Sequence, residues 1–171
     1  MAAATVSCFS TTPASCIRYR LHISLALFVF GLRMWAHAYA GGPVPFYDQW
    51  VFAFNNLAIA PQPSALSFLG YSHNEHRIIT TQFIEKFGLW WNGYYDVRVT
   101  LVASASIRAL NAAFAFSLLS GASRASRFWA WVSCFVVFAI PYSGYNALNG
   151  MQVSFYFVDL AMLFSVWLVL N

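Results

Sequence analysis

Two short polar strings, Phe46-Tyr47-Asp48-Gln49-Trp50 and His73-Asn74-Glu75-His76-Arg77, concentrate the side chains able to do acid–base or metal chemistry. The carboxylate of Asp48 can serve as a general base or a metal ligand. His73 and His76, three residues apart, can share one helical face, and Arg77 can hold an anionic group. Each has a plain structural reading as well. Asp48 can cap a helix, Ser72-His73-Asn74-Glu75 fits the S-x-x-E capping box, and Arg77 can meet lipid headgroups. No third ligand stands at a typical zinc spacing from the two histidines, so Asp48, His73 and His76 are weak metal candidates and use of a divalent metal stays open.

The elements that must position these residues follow from composition. The chain of 171 residues has 60% apolar and 8% charged side chains, whereas globular domains have about 25% charged residues. A mean hydropathy of +0.61 points the same way. Lipid is therefore the main solvent, and a disordered chain, a disulfide scaffold and a nucleic-acid binder are excluded. Cys8, Cys16 and Cys134 have no metal-type spacing. The expected fold is all-α, a polytopic membrane protein with four transmembrane helices and a long outer loop bearing two amphipathic surface helices.

Apolar runs place the spans at residues 21–40, 99–119, 128–145 and 153–170, the third interrupted by Pro141. A tail over 1–20, an outer loop over 41–98, a short loop over 120–127 and a second outer loop over 146–152 complete the chain. Arg18, Arg20, Arg124 and Arg127 fall on one side, which the positive-inside rule assigns to the cytoplasm together with the N-terminus. Ala36, Ala38 and Ala40 also fit a signal-peptide cleavage pattern, but the run is long, Arg33 interrupts it and more spans follow; a retained helix is expected. In the outer loop, Trp50, Phe54 and Leu57 mark one surface helix before Pro61-Gln62-Pro63, and Ile79, Phe83 and Phe87 mark a second. Trp90, Trp91, Tyr94 and Tyr95 form an interfacial aromatic belt.

Arg33, Arg108 and Asp159 lie within spans, where ionisable groups are functional candidates. Arg33 and Asp159 are both about 10 Å from the outer ends of their spans, and a structural ion pair between them is expected. Thr100, Ser104, Arg108 and Asn111 form a polar stripe beside a seam of Ala105, Ala109 and Ala113. That stripe suits a lipid phosphate, a water-lined groove or a buried pair between Arg108 and Asp159.

With a basic start, one span, a long outer loop with an early Asp and surface helices, and then closely spaced spans, the chain resembles the N-terminal part of a GT-C type membrane glycosyltransferase. The strings Pro45-Phe46-Tyr47-Asp48-Gln49-Trp50, His73-Asn74-Glu75-His76-Arg77 and Gly150-Met151-Gln152-Val153-Ser154-Phe155 resemble a group of bacterial proteins of that kind. The resemblance implies inverting transfer of a sugar from a polyprenyl-phosphate donor at the outer face of the bacterial cytoplasmic membrane. Asp48 then occupies the place of the catalytic base. His73, Glu75, His76, Arg77, Arg108 and Gln152 are the substrate-binding candidates, with Arg77 and Arg108 offsetting the charge of the departing phosphate. Members often carry paired acids in this loop, where Gln49 follows Asp48 here, and have many more spans. The chain stops directly after the fourth apolar run, so a truncated product lacking the enzyme's C-terminal part is expected. A non-enzymatic four-span protein, such as an assembly partner or transporter subunit, and a zinc-binding membrane protein are the rival expectations.

Overall fold

A computed structural model of the protein describes residues 13–40, 50, 79–120, 123–141 and 152–170. Among these, the regular elements are five helices: α1 (Pro13–Ala40), α2 (Ile79–Asn92), α3 (Val97–Leu119), α4 (Arg124–Ala139) and α5 (Val153–Leu170). Three are long and apolar enough to cross a membrane, over Tyr19–Ala40, Val97–Leu119 and Val153–Leu170. Of the first expected surface helix, only the exposed Trp50 lies inside the described residues.

Several expected boundaries move. α1 starts inside the expected tail, because nothing in Pro13 to Arg20 breaks a helix and proline fits a first turn. α4 likewise starts inside the expected short loop, where the Ser123 hydroxyl caps it by accepting from the Ser126 amide at 3.0 Å. It ends at Ala139, short of the expected 145, with Ile140 extended at φ −74°, ψ 129°. The cause is Pro141, whose ring disfavours helical backbone in the residue before it. At 16 residues, α4 rises about 24 Å, less than the roughly 30 Å hydrocarbon core. It is not among the three helices that meet the length and apolarity of a span.

α3 is the hub, packing against α1, α2, α4 and α5, while α1 also packs on α4. Small side chains permit this. Ala105, Ala109, Ala112 and Ala115 are buried on α3, so the seam turns through Ala112 rather than the expected Ala113. Leu25 and Val29 of α1, Phe116 of α3 and Cys134 of α4 fill the same core. α5 presents Phe155, Val158, Met162 and Leu168 outward, a surface suited to lipid.

α2 lies across the end of the bundle formed by the N-termini of α3 and α5. The Thr80 and Thr81 hydroxyls each meet the Ser154 hydroxyl at 2.7 Å. Gly88 faces Val99, where an added Cβ would come within 2.9 Å of a methyl carbon. The buried face of α2 is polar, comprising Thr81, Gln82, Glu85 and Gly88. Ile79, Phe83, Phe87, Trp90 and Trp91 are exposed. This is the polarity expected of a helix with protein on one side and apolar lipid on the other. Gly93 closes α2 at φ +74°, a left-handed cap suited to glycine, its amide donating to the Leu89 carbonyl at 2.9 Å.

Candidate functional site

The residues that bury α1 repeat every four positions: Leu25, Val29, Arg33 and His37. The stripe is apolar along the first half and cationic or basic along the second. α3 repeats the division in reverse, with Thr100 and Ser104 buried near its start and the alanine seam continuing beyond. Because α1 runs against α3, both polar halves meet at the end of the bundle that carries α2. Val153 and Tyr156 of α5 complete this region.

Tyr156 is its centre. Its hydroxyl accepts from Arg33 Nη2 at 2.7 Å, and its carbonyl accepts from Asn111 Nδ2 at 3.0 Å. Its ring lies 5.7 Å from Arg33 Cζ and 4.7 Å from Arg108 Cζ, within the range at which a guanidinium is attracted to an aromatic face. Arg108 also lies over Phe138 at 4.9 Å and donates to the Val137 carbonyl at 3.4 Å. Two guanidiniums thus share one phenol ring.

The expected ion pair between Arg33 and Asp159 is not formed. Asp159 Oδ2 instead accepts from Arg108 Nη1 at 3.3 Å. Equal depth placed Arg33 and Asp159 at one level, but pairing also needs a common direction around the bundle. Arg33 follows the α1 stripe to Tyr156, and Arg108 extends between α4 and α5. The carboxylate stays 47% exposed and Arg108 17%, so the contact is only partly shielded.

A second polar group ties α2 to the start of α3. Tyr95 donates its hydroxyl to Glu85 Oε1 at 3.1 Å, and Glu85 is buried. Burial, reinforced by the Glu85 charge, pushes the Tyr95 phenol well above its ordinary range. Burial also pulls the Lys86 ammonium below its usual value, partly offset by Glu85. Asp96 caps α3 by accepting from the Arg98 amide at 2.9 Å and from Arg98 Nε at 2.9 Å. The Arg98 side-chain hydrogen bond, first among the causes, holds the Asp96 carboxyl below its usual value against a smaller opposing effect of burial.

Of the sequence-predicted site residues, Arg33, Arg108, Gln152 and Asp159 are described. Gln152 is half-buried just ahead of α5, close in sequence to the Ser154 that holds α2. Asp48, His73, Glu75, His76 and Arg77 lie outside the described residues, as do the metal candidates among them. The described residues contain no group of three metal-type ligands. Tyr156 and His37 were not singled out from the sequence. His37 continues the Leu25, Val29, Arg33 repeat, which was visible; nothing in the string around Tyr156 marked it.

An apolar groove of about 290 Å³ between α3 and α5, lined by Phe114, Phe157, Leu160, Ala161 and Phe164, has no polar side chain for chemistry. No family model matches the chain, and neither a curated protein nor a solved structure matches it.

Proposed function

We propose that the chain is the N-terminal part of a membrane glycosyltransferase that moves a sugar from a polyprenyl-phosphate donor to an acceptor at the outer face of a bacterial cytoplasmic membrane. In this reading the chain spans four times with its N-terminus in the cytoplasm, α2 lies at the outer face, and a further C-terminal part completes the donor site. Asp48 takes the proton of the acceptor hydroxyl as that oxygen bonds to the anomeric carbon. The bond from that carbon to the phosphate oxygen breaks, and polyprenyl phosphate leaves with the electron pair. The observation that carries the reading is the polar half of the core, where Arg33 and Arg108 stand at the end bearing α2, Arg108 in contact with Asp159 and Arg33 with the Tyr156 phenol. Fixed cations in a low-dielectric setting stabilise developing negative charge on a leaving phosphate.

The test is Asp48→Asn in the full-length protein. Removing a general base should lower sugar transfer in membranes by about 10²- to 10⁴-fold. Undiminished transfer excludes Asp48 from the role.

The Arg108–Asp159 contact between α3 and α5 favours a second reading, a non-enzymatic four-span protein held together by that pair. There, Asp159→Asn should impair folding or assembly while Asp48 is replaceable. With the carboxylate half exposed, the loss should be about 1–3 kcal/mol in an unfolding titration, below that for a fully buried pair.

A further inference from the structure

We propose that Arg33, His37 and Tyr156 form a binding site for a phosphate group at the α2 end of the bundle. Arg33 is 2% exposed and His37 6%. Arg33 Nε and both ring nitrogens of His37 are buried without a hydrogen-bond partner. Of the carboxylates described at this end, Asp159 is engaged by Arg108 and Glu85 of α2 accepts from Tyr95. Among the described residues, the acceptor that meets the Arg33 guanidinium is the Tyr156 phenol oxygen. A buried charge is ordinarily met by an opposite charge. An oxyanion supplies that charge.

The donors define its shape. The Nε edge of a guanidinium presents a fork that matches two oxygens of an oxyanion. His37 stands one turn further along α1, about 6 Å up the axis, where it can reach a third oxygen. The Tyr156 hydroxyl accepts from Arg33, which leaves its own proton to donate to the same group. A halide would meet one donor direction, and a carboxylate has two oxygens, fewer than the donors that Arg33, His37 and Tyr156 offer. A phosphate has enough. His37 is three residues from the end of α1 at Ala40, so the anion enters from the α2 end. A lipid headgroup and free phosphate share this chemistry.

The site deepens the proposed function by giving the lipid phosphate a place, but binding is read directly and stands or falls apart from sugar transfer. The purified chain in phospholipid-free detergent micelles is titrated with inorganic phosphate, with a polyprenyl monophosphate and with the corresponding polyprenol. Saturable binding of a phosphate-bearing probe is expected. Arg33→Gln should weaken it at least about tenfold and His37→Ala about three- to tenfold, the range for losing charge-assisted hydrogen bonds. Binding by inorganic phosphate identifies the group itself as sufficient; binding by the polyprenyl phosphate alone identifies a lipid source. Polyprenol binding as tightly as its phosphate overturns the site, as does the absence of saturable binding by either phosphate. Helix content by circular dichroism checks each variant. If Arg33→Gln does not fold, His37→Ala decides, since unchanged affinity in that variant overturns the site.

Discussion

At the residue scale, two pairs of opposite charge meet among the described residues, Arg98 with Asp96 and Arg108 with Asp159, while the buried Arg33 meets a phenol. Arg98 and Asp96 are two residues apart at the start of α3 and satisfy each other locally. Their contact has a definite pH dependence. The folded Asp96 carboxyl titrates below its unfolded value, so its contribution to stability is present above the unfolded value of about 3.9 and is lost as pH falls through the lower folded value. Asparagine retains the capping oxygen without the charge. Acid titration followed by circular dichroism should therefore show less loss of stability as pH falls below about 4 in Asp96→Asn than in the parent; identical curves would remove the charge from this role. Arg33 is the contrasting case. Its interior position was legible from a four-residue repeat, but its partner was not, because depth along a helix does not specify which neighbour a side chain faces.

At the scale of elements, α2 shows how little its own sequence says about which face meets protein. The spacing of Ile79, Phe83 and Phe87 predicts an amphipathic helix, and the helix is present. In a soluble protein the aromatic face would be the buried one. Here Thr81 and Gly88 face the bundle because α3 and α5 offer Val99 at close range and the Ser154 hydroxyl. Gly88→Ala should gain about 1 kcal/mol in helix propensity yet lose about 1–3 kcal/mol to overpacking against Val99. Faster amide hydrogen exchange across α2 is the expected net result, reversed by adding Val99→Ala. Exchange that slows in the single variant would show that Val99 gives way readily.

At the scale of the whole molecule, the exposed aromatic face of α2 and the outward side chains of α5 form surfaces that lipid can cover. Brominated lipids quench tryptophan fluorescence on contact, so Trp90→Phe with Trp91→Phe should remove a distinct share of that quenching in reconstituted bilayers. Equal quenching with and without the two indoles would place α2 away from the lipid. The sequence by itself determined that the protein is helical and membrane-like, since 60% apolar and 8% charged residues leave few places for water. It also marked Pro141 as the interruption of the third apolar run, although the helix ends at Ala139 rather than at the expected 145, because the proline constrains its immediate neighbour. Tertiary structure decided the rest: that Asp159 meets Arg108, that Tyr156 lies between two guanidiniums, and that α2 turns its polar face inward. Composition and periodicity are properties of one segment at a time, whereas a partner is fixed by the rotation and approach of helices distant in sequence. Arg33 and Tyr156, 123 positions apart, meet only when α1 and α5 both pack against α3.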